Sequence, residues 1–375
     1  MTNGVVFVKI YLTFFLLFFN FGGVYLATLS DVATKAQVSI AAVSRLFNQD
    51  PTLSISEDTK ERIYTVASEL GFKGARKRSK PSKKLFKIGM VLWCSPEDET
   101  DDPYFLSIRQ GVEKRCQEEG IVLGEVIRMN GIEDGASLNG MDGLIVIGKI
   151  DSRDLDSLYG NNDRIVFVNN FAQDRQKYDC VVSNLEQATK DVLEHLLQLG
   201  HKRIGFIGGR DYSPVKGERK GREIPEIRYS VYEKMMRERG MFSRSDVYLG
   251  EWTTTSGYEL MREAIQKGNL PSAFFIANDP MAIGAMRALY DEGIKVPDEV
   301  AVVGFDDIDL AGFVQPSLTS VRIYTEQMGR TAVNLLCERI KGRDIPLTVT
   351  VSTKLMVRES CGATRYHSDS RNGQL

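Results

Sequence analysis

Polar donors crowd one side of a short segment near the start of the chain. Between residues 39 and 48, Ser44, Arg45 and Asn48 share a face, while Val43, Leu46 and Phe47 recur at helical spacing on the other. Ser39 precedes them, where its hydroxyl can accept from a free backbone N–H of the first turn. A short helix with donors facing out can enter a DNA major groove, where an arginine can donate twice to one guanine. Much later, Asn278 and Asp306 each follow an apolar run directly. An amide and a carboxylate at strand ends can cap the following helix or point into a cleft, where they could pair with the hydroxyls of a polar ligand. Other chemistries lack their residues. The five cysteines are scattered with no CxxC, and three histidines form no metal-ligand cluster. No Ser/His/Asp set or complete cofactor fingerprint is visible, so neither an enzyme nor a cofactor is expected. Gly205-Phe206-Ile207-Gly208-Gly209 lacks the Lys-Ser/Thr ending of a phosphate loop and reads as a strand-end turn.

These side chains need elements to hold them. Leu29, Val32 and Ala33 mark a first short helix, and small residues at Ala33, Ala36, Ala41 and Ala42 let it cross the second closely. A third helix opens at Ser56 with a cap and early acids, carries Ile63, Val66, Ala67 and Leu70 on one stripe, and stops at Gly71. Residues 73–87 then hold eight lysines and arginines, Arg76 and Lys77 among them, and no acid. Net charge over 375 residues is only −2, so this run, and not the whole chain, carries the signal for phosphate contact. From residue 87 onward apolar runs (88–93, 143–148, 164–168, 203–208, 273–277, 300–305) alternate with helical patterns, as expected of parallel sheets covered by helices. About 270 residues of this exceeds one sheet, so two similar α/β lobes with a cleft between them are expected.

The two ends stand apart. Residues 5–19 are strongly apolar but are interrupted by Lys9 and preceded by no basic residue. A signal peptide and a membrane anchor both fit poorly, since the run is short for a span and an anchor would crowd the DNA-facing helix. Residues 1–26 are therefore expected to stem from a start placed too far upstream. Beyond Cys361 the chain is polar and without heptads, so residues 361–375 are expected to be a disordered tail and not a coiled coil. The expected divisions are 27–73 for the DNA-facing helices, 74–86 for a basic linker and 87–360 for the two lobes. Scattered thiols suit a reduced cytoplasmic protein.

The run Thr28-Leu29-x-Asp31-Val32-Ala33, then Val38-Ser39, then Val43-Ser44-Arg45-x-x-Asn48 resembles the helix-turn-helix of the lactose/galactose repressor (LacI/GalR) family. So do Ala277-Asn278-Asp279-Pro280 and Val302-Val303-Gly304-Phe305-Asp306-Asp307 in the second half, which extends the likeness from about Thr28 to Arg358. The resemblance implies a small all-α helix-turn-helix DNA-binding domain, then an α/β two-lobed periplasmic-binding-protein-like domain with parallel sheets. It implies a homodimeric repressor of operator DNA, without stable membrane association, whose grip is controlled by a sugar. On that likeness Ile40, Ala41 and Arg45 touch bases, while Ser39, Ser44 and Asn48 hold phosphates. It also places Tyr104, Arg228, Trp252, Asn278 and Asp306 in the sugar site, with Asn184 as a further candidate. The family's hinge helix carries a leucine wedge that residues 73–81 lack, so basic side chains are expected to carry more of the binding. Local strings such as Asp102-Pro103-Tyr104-Phe105, with Trp252, are similar to the evolved β-galactosidase repressor branch and lean toward a galactose or galactoside effector. A secreted or tethered sugar receptor would suit the apolar start and the two lobes, but not the helix-turn-helix.

Overall fold

The computed structural model describes residues 27–48, 50, 52–72, 85–129, 137–156, 158–160, 163–170, 176–213 and 222–363. Arg76 and Lys77, the basic run up to Lys84, the apolar start and residues 364–375 lie outside the described residues. The chain divides into two compact units between Lys84 and Leu85.

The first unit is built from α1 (Leu29–Ala36), α2 (Ile40–Phe47) and α3 (Glu57–Glu69). Thr28 and Asp31 satisfy each other's backbone N–H groups in a capping box that starts α1. Gln37 ends α1 in the left-handed region, at φ 53°, and this sharp stop makes the turn into α2. Ser39 caps α2 by accepting from the Ala42 N–H at 3.1 Å. Val32, Ala33, Ala36, Val43, Leu46, Ile63, Val66 and Ala67 are buried together, as their spacing predicts. Phe47 seals one side by edge-on contacts with Tyr64 and Phe72.

The second unit holds two six-stranded sheets, joined by α/β crossovers. Its strands are β1 (Lys87–Leu92), β2 (Val122–Arg128), β3 (Gly143–Ile147), β4 (Ile165–Val168), β5 (Asp179–Ser183), β6 (Ile204–Gly209), β7 (Asp211–Ser213), β8 (Arg222–Ile224), β9 (Val247–Gly250), β10 (Ala273–Ile276), β11 (Ala301–Asp306), β12 (Thr319–Arg322), β13 (Thr348–Val351) and β14 (Lys354–Met356). The helices are α4 (Pro96–Asp101), α5 (Pro103–Glu119), α6 (Ser152–Leu155), α7 (Leu185–Gln198), α8 (Ile227–Glu238), α9 (Thr254–Lys267), α10 (Asp279–Asp291) and α11 (Thr325–Ile340). One sheet runs β13-β5-β4-β3-β1-β2 and is wholly parallel; the other runs β14-β12-β11-β10-β6-β9, with only β14 antiparallel. Strands buried on both faces explain the continuous apolar runs at β1, β3, β4, β6, β10 and β11.

The chain passes between the lobes three times: from β5 into α7, from β12 into α11, and from β13 to β14. These strands lie next to one another at corresponding edges, which makes a three-segment hinge. Each lobe also packs one helix pair at glycine contacts. A β-carbon on Gly111 would come within 2.1 Å of the Glu326 carbonyl oxygen, and one on Gly284 within 2.0 Å of that of Thr254. Backbone meets backbone there, so α5–α11 and α9–α10 lie closer than side chains allow. The ordered core also runs past residue 360, where the tail was expected to begin, because Cys361 and Ala363 are buried. Among the described residues, no helix is long and apolar enough to cross a membrane.

Candidate functional site

The carboxyl ends of the two sheets face a cavity of about 340 Å³. Tyr104, Arg228, Trp252 and Asp306, four of the residues expected to bind a ligand, line it together. Tyr104 comes from the first turn of α5, and its hydroxyl donates to Asn169 Oδ1 at 3.0 Å. Arg228 enters at the start of α8. Its Nε donates to Glu226 at 2.7 Å and its Nη1 to the Ala277 carbonyl at 2.5 Å. The guanidinium lies 4.7 Å from the Trp252 ring centre and 5.3 Å from that of Phe305, so aromatic faces and fixed acceptors hold it in one orientation. Trp252 is itself tethered, its indole N–H donating to the Arg210 carbonyl at 3.1 Å.

Asp306 is the most constrained of these side chains. It ends β11 at φ 103°, and Asp307 follows at φ 54°. A residue with a β-carbon held there is strained by about 1–3 kcal/mol. The surroundings impose the turn. Arg322 and Arg358 each bind the Asp307 carboxylate at 2.6 Å, and the Asp279 carboxylate beneath accepts from the Ile308 N–H at 2.9 Å and the Ser320 hydroxyl at 2.6 Å. The reward is a buried Asp306 carboxylate lining the cavity, whose Oδ1 has no hydrogen-bond partner among the described residues. Burial pushes its proton affinity well up, Asp102 adds to this, and Arg228 opposes it. A buried acceptor held without a partner is poised for a ligand donor.

Asn184 and Asn278 fall outside the lining. In α/β folds a polar residue after a strand can equally cap the next helix, and both do so. Asn184 accepts from the Gln187 N–H at 3.4 Å, and Asn278 from that of Met281 at 3.0 Å. Asn278 still reaches across the cleft, its Nδ2 donating to Asp102 Oδ2 at 3.0 Å. A second bridge joins Lys149 of one lobe to Asp211 of the other. Asn169, Asn170 and Lys149 were missed by the sequence reading, although each stands just past a strand legible as an apolar run; the strand-end rule that singled out Asp306 would have found them. Asp102 carried no such signal. It caps α5, accepting from the Tyr104 N–H at 3.0 Å, and burial raises its proton affinity.

Asp279 gives this site a pH dependence. Burial pushes its carboxyl up to about 7, against the opposing bonds from Ser320 and Ile308. A folded value above the unfolded one contributes stability that is complete below about pH 4 and is lost as pH rises through about 7. Asp279→Asn, which mimics the protonated form, is therefore expected to cost more at pH 5 than at pH 8, by differential melting at the two pH values. An equal cost at both would show that Asp279 titrates normally.

In the first unit, α2 presents the expected reading face. Ile40 is 52% exposed and Ala41 and Arg45 are exposed beside it. Ser39 accepts the Ala42 N–H as a cap, which leaves its hydroxyl hydrogen for another partner, and Asn48 Nδ2 donates to Ser44 Oγ at 3.4 Å. Arg45 is held by Asp50 and Thr52.

Residues 28–74 match the bacterial regulatory proteins of the lacI family, and residues 193–361 match a periplasmic binding protein-like domain. Over 342 residues the chain is 39% identical to the HTH-type transcriptional repressor MelR of Bacillus subtilis, covering 90% of this chain and 98% of that protein. The chain belongs to the lacI family of bacterial regulatory proteins. It is also 36% identical to the HTH-type transcriptional regulator GalR of Streptococcus thermophilus, over 89% of this chain and 99% of that one. Among solved structures, a lac repressor dimer bound to operator and the anti-inducer ONPF superposes at TM-score 0.63 with 24% identity, covering 90% of this chain and 99% of that one. The transcriptional regulator CelR in complex with cellobiose superposes at TM-score 0.62 with 27% identity, over 89% and 99% of the two chains. The lacI-family chain thus joins a helix-turn-helix reader to a two-lobed ligand-binding core.

Proposed function

We propose that this lacI-family chain is a homodimeric transcriptional repressor whose hold on operator DNA is set by a neutral sugar, galactose or a galactoside. Residues 27–73 are the DNA reader, 74–86 the basic linker and 87–363 the effector core, working on the nucleoid in the cytoplasm. The Asp306 carboxyl in the cavity, its Oδ1 unpartnered among the described residues, with Arg228 fixed beside it over Trp252, carries this reading. Together they offer an acceptor and a cation to adjacent hydroxyls, with aromatic surface for a sugar's C–H face. The CelR relative solved with cellobiose supports a saccharide, and the tryptophan supports the galactoside. Carboxylates outnumber cations seven to three among the lining side chains, which disfavours a phosphorylated sugar.

Sugar bound between the lobes favours one hinge angle over others. It thereby alters the spacing of paired readers on near-palindromic half-sites. Coupling of this kind is typically about 1–3 kcal/mol, enough to release an operator when non-specific DNA competes. Thermal melting of the full chain with galactose, lactose, related galactosides and sugar phosphates tests the effector. A galactoside is expected to raise the melting temperature and the phosphates to leave it unchanged. No response to any neutral saccharide would overturn the assignment. Arg45→Ala is expected to lose discrimination between operator and random DNA while keeping the sugar-induced melting shift; equal loss on both duplexes would remove Arg45 from base reading.

A further inference from the structure

We infer that Asp50 and Thr52 form a bracket that aims Arg45 at its base, so that discrimination by the reader depends on two residues outside the recognition helix. The inference rests on the reading of Arg45 as a base contact.

Asp50 lies past the end of α2, and its N–H donates to the Arg45 carbonyl at 3.0 Å, which folds the chain back beside the arginine. Arg45 Nε donates to Asp50 Oδ2 at 2.7 Å, and Arg45 Nη2 donates to the Thr52 hydroxyl at 2.6 Å. The ring closes because Asp50 Oδ1 accepts from both the Thr52 hydroxyl, at 2.7 Å, and the Thr52 N–H, at 2.9 Å. The Thr52 hydroxyl thus donates once and accepts once. The Thr52 hydroxyl and amide, then Arg45, hold the Asp50 carboxyl down at about 2, so the ring is ionised at any pH where DNA is bound.

An exposed arginine alone samples many rotamers, and only some of them meet a guanine edge. The bracket takes the Nε side of the planar fork and leaves Nη1 and the second Nη2 hydrogen. That is the end-on pair which donates to guanine O6 and N7. Asp50 and Thr52 therefore act as positioning residues. They cut the freedom that Arg45 loses on binding and restrict the bases it can satisfy.

The test uses the full chain and a random duplex pool, reading base preference at each half-site position after selection. Arg45→Ala assigns the arginine's position; if that variant leaves every preference unchanged, the base-reading role of Arg45 fails first and is recognised as a separate failure. Asp50→Ala and Thr52→Val are expected to lower the guanine preference at that one position about tenfold, with the other positions kept and the melting temperature little changed. Thr52→Ser, which keeps the hydroxyl, is expected to retain the preference. Three results would overturn the bracket: an intact guanine preference in Asp50→Ala, an even loss at all positions as from a damaged helix end, or tighter binding to every duplex with an unchanged pattern, as from a removed phosphate repulsion.

Discussion

Asp306→Gly is expected to weaken the sugar response of this repressor at least several-fold while leaving its melting temperature at or above that of the parent. The parent residue holds a β-carbon at φ 103° and a buried carboxyl whose Oδ1 has no partner among the described residues, both unfavourable in the ligand-free fold. Glycine accepts that backbone freely and removes the buried polar group. The ligand, however, loses a buried hydrogen-bond partner fixed in the cavity, and leaving its own donor unsatisfied there costs about 1–3 kcal/mol, or roughly five- to a hundredfold in affinity. Isothermal titration with galactosides and melting of the two proteins check both halves. A glycine variant that melts well below the parent and binds sugar normally would make Asp306 a scaffold residue and not a ligand acceptor. The expected trade of stability for binding is the mark of a strained functional residue.

The largest loss of stability is expected from Asp179→Ala. This carboxylate is fully buried at the start of β5. It receives Arg343 through two bonds, at 3.0 and 2.6 Å, and the Leu347 N–H at 2.6 Å, with Arg339 Nε at 3.9 Å. Arg339 and Arg343 belong to the end of α11 and the turn after it, so Asp179 ties the returning chain to the sheet that β13 then joins. Arg343 keeps Glu338, at 3.0 Å, and backbone carbonyls, but it and the Leu347 N–H lose their buried acceptor, which costs about 3 kcal/mol. For a unit of this size that is a fall of roughly 5 °C in melting temperature, measurable by calorimetry. Asp179 is remote from the cavity lining, so the folded fraction is expected to keep its sugar affinity. A variant melting within a degree or two of the parent would show that Glu338 and the backbone carbonyls suffice to hold Arg343.

Much of this protein was legible in its sequence. The reader was, because the caps at Ser39 and Ser56 and the apolar spacing along its three helices are local signals that need no distant partner. The strands buried on both faces were too, since their apolar runs admit no helix of that length. What escaped were elements whose identity depends on pairing. β2 and β13 mix exposed and half-buried residues at sheet edges, and β13 is a strand only because β5, far upstream in the chain, offers it hydrogen bonds. Asn278 and Asp306 look alike in sequence, each a polar residue closing an apolar run. Tertiary structure separates them: the next helix takes Asn278 as its cap, while a turn braced by Asp279, Arg322 and Arg358 holds Asp306 in the cavity. Local periodicity and capping set which elements form, but where a side chain ends up also depends on groups far away in sequence, and only the folded chain brings those together.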